Sequence, residues 1–204
     1  MPRKICSQCC RPKISCYCGQ IRRIKNHWPV HILQDRRESR HALGTARIAA
    51  MSLSACQLHV YDPEQPESEE ACVAIHNAVT HGTFEPVLVY PGENAQALDS
   101  LVSGPVRSLI FLDASWRRTR LMLHSQPVLA SLPRVCLHNT PASRYRIRRP
   151  PSPQALSTLE AIAAALAALE GRGDVYEPML QAMDWMIDQQ IARMGESVYH
   201  SNYK

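Results

Sequence analysis

Short apolar runs alternate with segments of helical period along most of the chain. "HWPVHILQ", residues 27–34, has apolar positions at Val30, Ile32 and Leu33 and predicts a strand. "DRRESRHALGTARIAAMSLSAC" predicts a loop feeding a helix, with Gly44-Thr45 near its start. "CQLHVYD" alternates and predicts a second strand, ending at "DPEQPESEE", an acidic stretch expected to be a solvated surface loop without a site. "ACVAIHNAVTHG" has helical spacing and stops at Gly82. Val87 to Tyr90 predicts a strand that turns at Pro91-Gly92 into a helix over Ala95–Val102. "SLIFLDASW" predicts a strand followed by an Arg-rich helix to His124, and "PRVCLHN" a further strand. After the loop "PASRYRIRRPPSPQ" come a long alanine-rich helix, "ALSTLEAIAAALAALEG", and an amphipathic one, "YEPMLQAMDWMIDQQIARM". Strands that alternate with helices imply an α/β domain with a mostly parallel sheet. Neither G-x-G-x-x-G nor G-x-x-x-x-G-K occurs, which argues against a dinucleotide-binding or P-loop reading.

Charge changes the picture more than length does. The 204 residues suit one substantial domain, 26–204, with a small appendage, 1–25. Residues 1–47 carry eleven Lys or Arg against two acids, while residues 48–106 carry eight acids and no Lys or Arg. Residues 107–149 carry nine Arg against Asp113 alone. Arginine concentrated in this way suits a polyanion such as RNA or DNA, because guanidinium pairs with phosphate in a fork; a solvated basic face is the other reading. No apolar stretch reaches membrane-spanning length, and "MPRKICSQCC" lacks the apolar core of a signal peptide. A cytoplasmic protein with reduced or metal-bound thiols is the expectation.

Five of the eight cysteines lie in "CSQCCRPKISCYC". Cys6 and Cys9 form C-x-x-C, Cys16 and Cys18 form C-x-C, and Cys10 is spare. Four thiolates on two short turns suit a closed structural zinc site; a disulfide-linked or accidental cluster is the alternative. Arg22 and Arg23, with the other basic residues around this segment, are candidate phosphate contacts. Cys56, Cys72 and Cys136 are expected in the core.

The strand "LIFLD" exits through Asp113, Ser115 and Trp116 into a helix bearing Arg117, Arg118 and Arg120. A carboxylate at the carboxyl end of a buried strand is where open α/β sheets place ligand chemistry. Asp113 is then either a general base or an N-terminal cap of the helix, and Ser115 a cap, a partner orienting Asp113, or both. Trp116 either stacks on a base or packs beneath the sheet.

Four motifs in order carry a family resemblance: the cysteine knuckle, "DASW", "SRYRIR" (Ser143–Arg148) and "STLEA" (Ser157–Ala161). From about residue 5 to residue 170 the chain resembles the DTW-domain family of tRNA-uridine aminocarboxypropyltransferases, with Ser115 where the family name has Thr. A related ribosomal-RNA aminocarboxypropyltransferase family also has Ser there. The resemblance implies a SPOUT-like α/β fold with a carboxy-terminal trefoil knot, preceded by a small zinc knuckle. It implies transfer of the 3-amino-3-carboxypropyl group of S-adenosylmethionine to N3 of a tRNA uridine, giving acp3U and methylthioadenosine, at position 47 with position 20 the alternative. Asp113, Ser115 and Trp116 are its implied catalytic residues. Ser143, Tyr145, Arg148 and Leu137 are placed at the cofactor, as are the turn Tyr90-Pro91-Gly92 and the helix start Ser157, Thr158 and Glu160. Ser157 with Glu160 also satisfies a capping box, which explains that pair without a ligand. Arg117, Arg118, Arg120, Arg144, Arg146 and Arg149 join Arg22 and Arg23 as implied RNA contacts. Two rivals stand: an RNA methyltransferase of the same fold, and a non-catalytic zinc-knuckle RNA-binding protein.

Overall fold

The computed structural model describes residues 4–80, 83–147 and 155–203. Among these, six strands form one all-parallel sheet in the order β2-β1-β5-β3-β6-β4. The strands are β1 Val30–Asp35, β2 Cys56–Tyr61, β3 Pro86–Val89, β4 Gln96–Ala97, β5 Ser108–Asp113 and β6 Arg134–Cys136. The helices are α1 Arg36–Ser39, α2 Ala46–Ser52, α3 Glu69–Thr80, α4 Trp116–Ser125, α5 Pro127–Ala130, α6 Thr158–Glu170, α7 Gly173–Met194 and α8 Glu196–Tyr203. From β1 the chain runs outward to β2, crosses to β3 and β4 on the other side, and returns through β5 in the central slot. Because every pairing is parallel, the carboxyl ends of all the strands meet along one edge.

Side chains of a strand alternate between faces, and the apolar ones divide accordingly. Val30, Ile32, Leu109 and Phe111 pack in one core with α2, α6 and α7. Leu33, Leu88 and Ile110 pack in a second core with Ala71 and Ile75 of α3, Met122 of α4 and Leu129 of α5. The sheet is therefore the middle of three layers, and its central strand β5, buried on both sides, is a nearly continuous apolar run. Each fully buried Leu or Ile contributes about 1.5–3 kcal/mol relative to exposure. Cys9, Tyr17 and Ile24 of the amino-terminal segment pack in the first of these cores.

Three elements differ from the sequence expectation. The helix expected over Ala95–Val102 is the two-residue β4 followed by a single 3-10 turn, Leu98–Leu101. Gln96 and Ala97 pair with Val135 and Cys136 on the open edge of β6, and Leu98 and Leu101 then meet the core at the three-residue repeat of the tighter helix. The last expected helix starts earlier, at Gly173, and includes Pro178. Gly171, at φ 63°, supplies the left-handed turn that ends α6. The short α8 gave no periodic signal. Cys56 is half-buried against the main core, as expected, whereas Cys72 is exposed on α3 and Cys136 is half-buried outside both cores. The knot implied by the resemblance is not established by this strand order.

Candidate active site

Gln34 and Asp113 are register partners at the ends of the adjacent strands β1 and β5. Both project toward the α6 face, in phase with Ile32 and Phe111. Gln34 Nε2 donates to Asp113 Oδ2 at 2.7 Å, and the Thr158 hydroxyl, from the first turn of α6, donates to Asp113 Oδ1. The carboxylate is 8% exposed, so two oriented donors hold it at the rim of a desolvated site. Ser115 occupies the N-cap position of α4 in extended backbone but makes no capping hydrogen bond. Gln34 and Thr158 thus do the orienting that was expected of Ser115. Trp116 is 45% exposed and lies tilted against Tyr90, ring centroids 6.0 Å apart. Of the two readings of Trp116, the buried core tryptophan is excluded. Tyr90 is fixed in turn by a 3.0 Å hydrogen bond between its hydroxyl and that of Thr119.

The motifs at Ser143 and Ser157 meet on Glu160. This buried carboxylate accepts from the Ser143 hydroxyl at 2.9 Å, from the backbone N–H of Arg144, and from the backbone N–H of Ser157 at 2.8 Å. The last of these, with the Ser157 hydroxyl accepting from Glu160 N–H, is the expected capping box. Glu160 therefore pins the 143–145 loop to the start of α6, and Tyr145 continues the anchoring by donating to the Leu43 carbonyl at 2.7 Å. Beside this junction lies a cavity of about 450 Å³, walled by Leu98, Leu137, Ala163, Ala167 and Leu180, with Asp99, Asn139 and Glu177 among its polar groups. Apolar walls with a few polar groups at this volume suit a small-molecule cofactor. Leu137 and Glu160 are thus at the cavity, Thr158 faces Asp113, and Tyr90, Pro91 and Gly92 are not among the cavity's lining. Arg148 and Arg149 lie outside the described residues.

The arginines expected at RNA separate into two groups. Arg118 is 6% exposed and bound by Asp35, Asp62 and Glu64. Burial opposes its charge, and the hydrogen bonds it donates to Asp35 and Glu64 outweigh that and raise its pKa. Arg144 pairs with Glu177 and Asp184, and Arg146 with Asp188. Arg118 is held within the fold, then, and the acidic stretch after β2, expected to be a solvated loop, supplies two of its three carboxylates. Arg117 and Arg120 are exposed beside Trp116 and have no acidic partner among the described residues, nor do Arg22 and Arg23, which donate to backbone carbonyls.

The four knuckle sulfurs, of Cys6, Cys9, Cys16 and Cys18, lie within 4.8 Å of one another. Cys6–Cys18 and Cys9–Cys16 are both 3.7 Å apart, and a tetrahedral zinc site with Zn–S of about 2.3 Å requires sulfurs about 3.8 Å apart. Backbone N–H groups of Cys9 and Gln8 lower the Cys6 pKa to about 6, whereas burial raises those of Cys9 and Cys18, and neighbouring thiols add to the rise. A bound cation is what would let all four ionise together, so the donor set fits a metal. Cys10 is exposed at φ 56°, outside the set.

The DTW domain model matches residues 3–191. The chain belongs to the DTW-domain family. Similar curated proteins include "tRNA-uridine aminocarboxypropyltransferase 2" of Drosophila melanogaster, 26% identical over 93% of this chain and 76% of that protein. The proteins of the same name from Macaca fascicularis and Mus musculus are each 26% identical over 93% of this chain, which spans 64% of their length. No solved structure matches the chain.

In this DTW domain, three of the four sequence motifs converge at the carboxyl edge: Asp113–Trp116, Ser143–Tyr145 and Ser157–Glu160. Gln34 and Asp35 were missed by sequence reading. Both end the run "VHILQD", a polar pair closing a buried strand just as Asp113 closes "SLIFLD", and that likeness was the available signal. Being adjacent, they face opposite sides of the sheet. Gln34 holds Asp113 on one, and Asp35, fully buried, holds Arg118 of α4 on the other.

Proposed function

We propose that this protein is an S-adenosylmethionine-dependent tRNA-uridine aminocarboxypropyltransferase, forming acp3U at N3 of a tRNA uridine with release of methylthioadenosine. The observation that carries this reading is a buried carboxylate, Asp113, held by Gln34 and by Thr158 at the start of α6, the helix that also lines a cofactor-sized cavity through Glu160 and Ala163. The names of the curated relatives support the same reaction class.

The 450 Å³ cavity fits the nucleoside part of S-adenosylmethionine, with Leu137, Ala163 and Leu180 as apolar walls and Asp99 and Asn139 as polar contacts. When bound, that cofactor supplies an electrophilic carbon activated by a sulfonium. N3 of uracil is a poor nucleophile until it loses its proton. Asp113 accepts that proton, and such general-base help is worth about 10²–10⁴-fold. Gln34 and Thr158 keep the carboxylate aimed, while Trp116 stacks on the extruded base and contributes about 1–3 kcal/mol. The 143–145 loop is anchored on Glu160 and contributes Arg144 to the cavity wall. In the knuckle, Cys6, Cys9, Cys16 and Cys18 would hold a zinc ion in a structural role, because four cysteine ligands leave no open coordination position.

The test is mass spectrometry of nucleosides from unmodified tRNA incubated with the protein and S-adenosylmethionine. A uridine that gains the aminocarboxypropyl mass is expected. A methyl gain would replace the reaction while keeping the site, and no gain on any tRNA would overturn the reading.

A further inference from the structure

A second and larger cleft, of about 710 Å³, lies between the knuckle, the chain from Glu38 to Arg47, and the end of α7. Its lining includes Lys4, Arg11, Lys13, Arg40, Arg47 and Arg193, against the single carboxylate of Glu38. None of these six cations has an acidic partner among the described residues, in contrast to Arg118, Arg144 and Arg146. So the cations left uncompensated by the fold gather here as well as beside Trp116. Two buried polar atoms of the lining residues are also unpartnered, Arg11 Nε and Gln34 Oε1, on side chains 9% and 3% exposed. Gln34 is the residue whose other amide atom holds Asp113, so the cleft floor and the candidate base share one side chain. The walls are firmly placed. Arg193 donates to the Ile14 carbonyl at 2.7 Å, Arg11 packs on Tyr17 and on Met186 of α7, and the four knuckle sulfurs are clustered behind.

We propose that this cleft binds the sugar–phosphate backbone of the RNA strand that carries the target nucleotide. Lys13, Arg40, Arg47 and Arg193 pair with its phosphates, and the strand passes Gln34 on its way to Asp113. A bare run of uncompensated arginines holds a single strand through charge, and release of its counterions makes that binding salt-dependent. The knuckle then has a purpose beyond its own folding: it is one wall of the substrate channel. This inference rests on the reading of the substrate as tRNA.

Affinity for an unmodified tRNA transcript is measured by fluorescence anisotropy between about 50 and 200 mM salt, the range over which phosphate contacts show most clearly. The proteins are the full chain, its Arg40→Gln/Arg47→Gln double variant and an Arg107→Gln control, in which a cation is lost at the opposite, amino end of β5. The double variant is expected to bind about tenfold more weakly, with a salt slope shallower by about 1.4, the loss of two single-strand contacts. The control should keep the wild-type slope, and S-adenosylmethionine affinity should be the same in all three. A wild-type slope in the double variant, or an equal loss in the control, overturns the cleft. If tRNA affinity responds as stated but no aminocarboxypropyl uridine forms, the catalytic reading fails and the cleft stands. If product forms and the slope is unmoved, the reverse holds.

Discussion

Replacing Arg118 by Met tests whether this arginine belongs to the fold or to the RNA surface. Its guanidinium meets three carboxylates that differ in exposure: the side chain of Asp35 is 0% exposed, Asp62 23% and Glu64 49%. Glu64 and Asp62 are hydrated when the arginine leaves, so their pairs are worth about 0–1 kcal/mol each. Asp35 has no such recourse, because among the described residues it retains only the backbone N–H of Arg37 as partner. Leaving a buried charge unpaired costs about 3–5 kcal/mol, and that term dominates. For a chain of this size, each kcal/mol moves Tm by roughly 2–4 °C, so Arg118→Met should melt about 6–20 °C below wild type. Urea unfolding followed by circular dichroism gives the free energy directly. Adding Asp35→Asn removes the orphan charge while keeping an acceptor for Arg37 N–H, and the double variant should recover about 1–3 kcal/mol of the loss. A single variant with wild-type stability but a salt slope for tRNA shallower by about 0.7–0.9 would refute the structural assignment and return Arg118 to the RNA surface.

Three other expectations follow from the site. Thr158→Val removes one donor from Asp113 and should lower kcat about ten- to a hundredfold with tRNA and cofactor KM unchanged, while Thr158→Ser retains the hydroxyl and most of the rate; equal loss in both variants would point to packing instead. Trp116→Ala should weaken tRNA binding about 5- to 150-fold, and Trp116→Phe should recover most of it, whereas an unchanged affinity in Trp116→Ala would remove the stacking role. Chelation with heating should release one zinc ion per chain, measured with a metallochromic dye, and lower the melting temperature, because Cys9 and Tyr17 are part of the main core; a stable metal-free protein would contradict the structural role.

The fold was largely legible because the periods were unambiguous where the chain is buried on both faces. "VHILQ" and "SLIFLD" could be little else than strands of a covered sheet, and the alanine-rich run opening with Ser157 and Glu160 announced both its helix and its cap. What failed was local. Gln96-Ala97 joins an edge through backbone pairing that no side-chain pattern encodes, so it looked helical. At the site, Asp113 stood out as an isolated acid, yet its holders did not. Gln34 is one polar residue after an apolar run, and only the strand register brings it across 79 positions to Asp113. The pairing of the arginines was hidden for the same reason. Composition counts charges without their partners, and Asp35, Glu177 and Asp188 become neighbours of Arg118, Arg144 and Arg146 only on folding.

Whether Asp113 is the base is tested most directly by the single-turnover rate of Asp113→Asn with saturating tRNA and S-adenosylmethionine. The substitution keeps the shape of the side chain and removes its ability to take a proton. The rate should fall by about 10²–10⁴-fold, with tRNA and cofactor affinities within about twofold of wild type. A rate within a few-fold of wild type under saturation, or a loss accounted for wholly by weaker binding, would contradict that role.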